Sequence, residues 1–285
     1  MVACPESPEL VALLAGRHVA VLTGAGLSTD SGVPDYRGPD SPPSNPMTIR
    51  QFTSDPSFRQ RYWARNHLGW RHMAATAPNA GHRALAALER AAVVSGVITQ
   101  NVDLLHTKAG SVNVVDLHGT YAQVVCLDCG YTMSRAALAD ELEALNPGYP
   151  SSTEVLDGLE MAPDADAIVA DTGAFRYLDC PRCAGMLKPD IVYFGESVPK
   201  GVLTRAYSLV DHADALLVAG SSLTVFSGYR FVRHAVGLGI PVAILNRGRT
   251  RGDDLATLKI EGGCSEILTV LAGELSGTLA PLPNF

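Results

Sequence analysis

The chain has 285 residues, 47% of them hydrophobic and 18% charged, with a formal net charge of −7; it is globular rather than disordered, with room for one large domain or one plus a small insert. The acidic balance argues against direct nucleic-acid binding and favours small molecules or protein substrates. No apolar run reaches the roughly 20 residues of a membrane span, and 1–9 resembles neither a signal nor a transit peptide, so a cytoplasmic location is expected.

Leu10, Leu13 and Leu14 have helical spacing and predict a short first helix over 8–15. The apolar run Val19–Thr23 reads as a buried strand that stops at Gly24-Ala25-Gly26. Glycines just beyond a parallel strand let backbone N–H groups approach a phosphate, and a helix beginning at Ser28 or Thr29 would aim its positive end at the same anion. The third glycine of the dinucleotide fingerprint is missing, so an ordinary tight strand-to-helix turn remains an equal alternative. The following stretch, Asp30 to Arg37, sets Asp35, Tyr36 and Arg37 side by side in a polar loop, and 39–46 reads as a mobile loop over the site.

A helical region over 48–71, broken at Pro56, carries Phe52, Phe58, Tyr62, Trp63 and Trp70. Asn79 is placed to cap a helix running to Ala92. Two strands follow, 93–99 and 112–117, and both end in polar groups: Gln100, Asn101 and Asp103 after the first, His118 after the second. In an open parallel sheet the ligand lies off the carboxyl ends of the strands, so these side chains converge on the space the glycine loop faces. Taken singly, His118 also fits a satisfied structural histidine, and Asn101 a turn residue.

Cys126-x-x-Cys129 and Cys180-x-x-Cys183 have the spacing of a four-thiolate zinc site, closed and therefore structural; two redox-active pairs are the alternative. Cys4 and Cys264 fit neither pair, and no disulfide is expected between them. The segment between the pairs, with a helix over 135–145 and an acidic stretch to Asp171, reads as an insert. Beyond it, 187–196 is an extended run, 215–219 a buried strand feeding Gly220-Ser221-Ser222, 227–238 a helix, 241–245 a strand ending in Asn246, 258–261 a short strand, and a last helix starts at Ser265. The alternation predicts an α/β fold, a doubly wound parallel Rossmann-like sheet with a smaller zinc-binding domain and a helical module inserted. The expected division is 1–46, 79–119 and 188–285 for the Rossmann-like domain, 47–78 for the helical module and 120–187 for the zinc-binding domain.

The run from Gly24 to Arg37, Thr-Gln-Asn-Val-Asp-Leu-Leu-His over 99–106, Leu-His-Gly over 117–119 and the two cysteine pairs together resemble the sirtuins, NAD-dependent protein-lysine deacylases; the match extends from about Val19 to Cys264. Within that family, Arg59–Asn66, the long segment between the cysteine pairs and Tyr36 look like the class II group, which includes the mitochondrial lipoamidase-type sirtuin. The scarcity of lysine, limited to Lys108, Lys188, Lys200 and Lys259, points to a bacterial source.

The resemblance implies transfer of an acyl group from a modified lysine to the ribose of NAD, with release of nicotinamide. It implies that His118 is the general base and that Asn101 and Asp103 position the ribose and nicotinamide. NAD would meet Gly24, Ala25, Gly26, Ser28, Thr29, Pro34, Asp35, Tyr36 and Arg37, then Gln100 and Val102, and at the adenosine end Gly220, Ser221, Ser222, Asn246, Arg247, Gly248 and Cys264. The acylated lysine peptide would lie between Val192, Phe194, Gly195 and Glu196 on one side and Val225 on the other. Tyr62 and Arg65, three apart on a helix, suit a carboxylate and so imply a preference for acyl groups larger or more polar than acetyl; a solvent-facing Arg65 over a packed Tyr62 is the alternative. An NAD-dependent mono-ADP-ribosyltransferase and a non-catalytic zinc-ribbon module are the alternatives from other classes.

Overall fold

Strand β1 (Val19–Thr23) is buried along its whole length and alternates between two cores, with Val19 and Val21 on one face and Ala20 and Leu22 on the other. A strand apolar on both faces belongs in the middle of a sheet covered on both sides. The computed structural model, which describes residues 7–36, 46–149 and 172–276, places it there. Six parallel strands lie in the order β3-β2-β1-β7-β8-β9, where β2 is Val94–Thr99, β3 Val114–Asp116, β7 Ala215–Ala219, β8 Val242–Leu245 and β9 Leu258–Ile260.

Helices α1 (Ser7–Leu14), α4 (Ala80–Arg90) and α9 (Cys264–Leu275) cover one face through Leu10, Leu85, Leu88, Ile267 and Leu271. Helices α7 (Lys200–Asp211) and α8 (Phe226–Leu238) cover the other through Ala206, Val210, Phe231 and Val232. This is the doubly wound sheet expected. Among the described residues, no helix is long and apolar enough to cross a membrane.

The chain leaves this sheet twice. Helices α2 (Ile49–Ser54) and α3 (Pro56–Ala75) form the helical module. Thr48 and Gln51 close a capping box at the first, and Pro56 stands in the first turn of the second, where a missing N–H costs nothing. Strands β4 (Gly119–Cys126), β5 (Thr132–Ser134) and β6 (Leu187–Ile191) make an antiparallel sheet in the order β5-β4-β6, flanked by α6 (Arg135–Leu145). Because β6 pairs with β4 as far as Ile191, the boundary expected after residue 187 falls inside a strand. The two excursions share one core, in which Phe52, Tyr62 and Trp63 meet Tyr121, Leu138 and Phe175.

Two local expectations are corrected. No long helix starts at Ser28 or Thr29: the chain makes two short 3₁₀ turns, Ala25–Leu27 and Thr29–Ser31, ended by Gly32 at φ 82° and by Pro34 two residues on. Val112 lies outside β3 and is exposed, its amide donating to the Glu89 carboxylate. Helix α7 was not foreseen, and neither was the short α5 (Leu105–Lys108). The loop expected over 39–46 lies, apart from Pro46, outside the described residues, as do the acidic stretch before Asp171, Cys4 and Arg37.

The strand order reverses between β1 and β7, which opens a crevice at their carboxyl ends. The two loops there are fastened to each other, Gly24 N donating to Ala219 O at 3.2 Å and Gly26 N to Gly220 O at 2.9 Å. Gly220 has φ 66°, and a Cβ on it would stand 2.2 Å from Leu27 N, so both conformation and space require glycine. Gly220→Ala is therefore expected to destabilise the protein by at least ~1–3 kcal/mol; thermal unfolding at or above the wild-type midpoint rejects this.

Candidate active site

A cavity of 710 Å³ occupies this crevice, within the size range of small-molecule sites. Its walls bring together Gly24, Ala25, Gly26, Ser28, Asp35 and Tyr36 from the first loop and Gln100, Asn101, Val102 and Asp103 from the loop after β2. They add His118 after β3, the run from Val192 to Glu196, Gly220, Ser221, Ser222 and Val225 after β7, and Asn246, Arg247 and Gly248 after β8. Each group follows a strand, as the sequence led one to expect.

His118 is held at both ring nitrogens. Nδ1 lies 2.9 Å from the carbonyl oxygen of Gln100, and since a carbonyl can only accept, Nδ1 carries the proton. That leaves Nε2 of the neutral ring with its lone pair free to accept, and it lies 2.7 Å from Ser227 Oγ. Burial pushes the imidazole below its ordinary pKa of 6.5, and the Gln100 contact opposes the shift in part. The ring follows directly into Gly119 at φ 78°, where a Cβ would stand 2.0 Å from Asp190 O; the close crossing of β4 over β6 thus fixes the histidine backbone. Val192 N donates to His118 O at 2.7 Å, tying the run toward Glu196 to the same residue.

On the opposite wall, Asn101 Nδ2 donates to Gly24 O and to Ser28 Oγ, both at 3.1 Å, and Ser28 Oγ donates to Asp103 Oδ2 at 2.6 Å. Asp103 is 3% exposed; burial raises its pKa, and its bonds from Ser28 and the Leu105 amide oppose that. Behind them lie two histidines the sequence reading passed over. His82, at 3.5 Å from Ser28 Oγ, is lowered to about 4, and His106, at 2.9 Å from Thr23 Oγ1, to about 3, in each case chiefly by burial. Both are neutral wherever the protein is folded near pH 7, and they stack edge to face at 5.0 Å. His106 stands within the quoted run 99–106, so its position beside the site was available from the motif.

Five expected residues do not reach the cavity wall. Thr29 turns back to bond Gly26 O, and Pro34 lies beside the loop. Cys264 is buried, its thiol pushed up to about 12 by burial and lying against Leu245 O. Tyr62 and Arg65 do share a helix, but the Tyr62 ring is 1% exposed, packed on Phe52, Trp63 and Tyr193, and its hydroxyl lies 3.1 Å from that of Tyr121. That phenol lies in the core between the helical module and the small sheet, one ring removed from the cavity through Tyr193, which lines it. Conversely, Ser227, Arg230 and Arg249 line the cavity and were not anticipated.

The four paired cysteines converge at the end of the small sheet. All four sulfurs lie within 4.8 Å of one another, with Cys126 and Cys183 at 3.6 Å and Cys129 and Cys180 at 3.7 Å. Tetrahedral zinc with bonds of about 2.3 Å sets its sulfurs roughly 3.8 Å apart, so this cluster fits a structural ion.

Residues 24–227 match the Sir2 family. The chain belongs to the Sir2 family. A relative in Mycobacterium avium, an NAD-dependent protein deacetylase, is 76% identical over 98% of each chain. A Sir2 structure with p53 peptide and NAD+ is 32% identical and superposes with a TM-score of 0.74 over 93% of this chain and 97% of the other. A Sir2 bound to acetylated peptide is 30% identical, with a TM-score of 0.74 over 94% and 97%. This Sir2 chain therefore has the family's fold over nearly its whole length.

Proposed function

We infer that the chain is an NAD-dependent protein deacetylase that moves the acyl group of a modified lysine to ADP-ribose, releasing nicotinamide and 2′-O-acyl-ADP-ribose. The observation that carries the reading is the single cavity in which the twin glycine loops, Asn101 and a one-tautomer His118 face one another. NAD supplies an electrophilic ribose carbon and a leaving group. The chain's own residues supply the rest: with the Gly24, Gly26 and Gly220 amides bonded to other strands and loops, the Ala25 and Ser221 N–H groups face the pyrophosphate, Asn101 and Asp103 orient the ribose, and His118 Nε2 takes the proton of a ribose hydroxyl. Asn246, Arg247 and Gly248 face the adenosine half.

The substrate peptide is placed as an added strand between Val192–Glu196 and Val225, held by main-chain bonds that tolerate many sequences. In support, Glu196 accepts from Lys188 Nζ at 2.9 Å and from Tyr193 N at 3.0 Å, and Ile49 N donates to Phe194 O at 3.0 Å, so the receiving edge is fixed from two sides. The class II grouping rests on Arg59–Asn66 and on Tyr36, which lines the cavity with its ring edge-on to Phe194 at 6.3 Å. We place the Rossmann-like, helical and zinc-binding units as expected, with the small sheet extended to Ile191.

The direct test is incubation with NAD and an acetyl-lysine peptide, with mass analysis of products. Deacetylated peptide, nicotinamide and O-acetyl-ADP-ribose in equal amounts are expected; ADP-ribose attached to protein without deacetylation rejects the reading in favour of ADP-ribosyl transfer. Protonated His118 cannot act as a base, and its pKa is depressed, so kcat/KM is expected to hold as pH falls from neutrality and to drop only below 6.5. An acid limb centred above 7 in the pH profile contradicts this.

A further inference from the structure

We propose that Ser227 and His118 also form a serine nucleophile and general base that cleave activated carboxylic esters without NAD. The activity shares the deacetylase cavity but requires no nucleotide.

The arrangement has the three parts such chemistry needs. Ser227 Oγ lies 2.7 Å from His118 Nε2, the reach of a proton transfer between nucleophile and base. The base is oriented by a third group, because Nδ1 donates to Gln100 O at 2.9 Å and so presents the unprotonated Nε2 to the serine. Ser227 is half-buried on the cavity wall, where an acyl group can approach it.

Ser227 is also the second residue of α8, a helix of 13 residues whose N-cap, Val225, supplies no side-chain hydrogen bond to the first turn. The Gly228 and Tyr229 amides bond Val225 O, so the Phe226 and Ser227 N–H groups are the donors for the negative oxygen that develops on an attacked carbonyl. The next residue shows how near the turn comes: a Cβ on Gly228 would stand 2.4 Å from Gln100 Oε1, so the glycine lets the helix start close against that side chain. Burial keeps His118 neutral and able to accept the proton near pH 7.

In the acylation step, Ser227 Oγ bonds to the ester carbonyl carbon as its proton passes to Nε2; the bond from that carbon to the alcohol oxygen breaks, and the alcohol leaves with the proton from Nε2. In the second step, water gives a proton to Nε2, its oxygen bonds to the acyl carbon, and Ser227 leaves with the proton. The net reaction is ester plus water to acid plus alcohol. The orienting group is a neutral carbonyl rather than a carboxylate, so it supports the imidazolium less strongly, and the substrate class is confined to esters with good leaving groups such as phenols.

The test uses full-length protein with p-nitrophenyl acetate and no NAD. We expect an initial burst of p-nitrophenol, one acetyl group on the peptide containing Ser227, and slowing of the burst by saturating NAD. Ser227→Ala, shown folded by its thermal melting, should lose the burst by at least about 100-fold, and His118→Ala should lose it equally. Ester hydrolysis by Ser227→Ala at the wild-type rate, acetyl found only on cysteine, lysine or His118, or no burst in wild type overturns the proposal. Wild-type deacetylation measured in parallel separates the two readings: an active deacetylase without the burst rejects this inference alone.

Discussion

His118→Ala is expected to lower NAD-dependent deacetylation by at least ~10², the scale of a general base, while leaving the fold and NAD binding intact. The side chain makes two hydrogen bonds, one to a backbone carbonyl and one to Ser227, and both partners line an open cavity where water can replace the imidazole. Each such bond is worth about 1 kcal/mol net, too little to unfold a domain of this size. The elements that do fix the backbone here, Gly119 at its left-handed φ and the Val192 amide on His118 O, are untouched by the truncation. Loss should therefore appear in turnover and not in the melting temperature or in NAD affinity. A folded variant that retains near-wild-type turnover refutes the assignment.

What the sequence made legible follows from where the signal is local. Strands such as Val19–Thr23 and Ala215–Ala219 are buried on both faces, so their apolar runs are unbroken, and the residues directly after them fall at one end of the sheet by topology alone. The cysteine spacing needed no topology at all. Helix α7 was missed although Leu203, Ala206 and Val210 mark its inner stripe, because it begins with Lys200-Gly201-Val202 and its N-cap is Pro199, with no side-chain cap to announce it. The surroundings of Tyr62 were not legible for the opposite reason. Spacing of three places two side chains on one face, yet what that face meets is decided by tertiary packing, here Tyr121 and Tyr193 from the small sheet and the strand exit beyond it. Ser227 was invisible because its partner, His118, lies 109 residues away in the chain.

Removal of the thiolate site is expected to unfold the small sheet and to lower activity from a distance. Cys126 ends β4 and Cys180 opens the turn before β6, with Cys126 and Cys180 buried and Cys129 and Cys183 exposed. The two turns are zipped by Leu127 N to Met186 O and by Met186 N to the Asp128 carboxylate, both 2.9 Å, few bonds for a sheet of only three strands. A closed tetrathiolate zinc site contributes on the order of 10 kcal/mol to the folding of small units, far more than these contacts. Metal analysis should find one zinc per chain in wild type and none in Cys126→Ser. Hydrogen exchange in the variant should lose protection over 119–145 and 172–191 while β1, β2, β7 and β8 keep theirs. The disturbance reaches the cavity because β6 runs on into Val192, whose amide holds His118, so deacetylation should fall by roughly 10- to 100-fold without any change at a cavity side chain. Active wild-type protein free of zinc, or a Cys126→Ser variant with full protection over 119–145, contradicts the structural role.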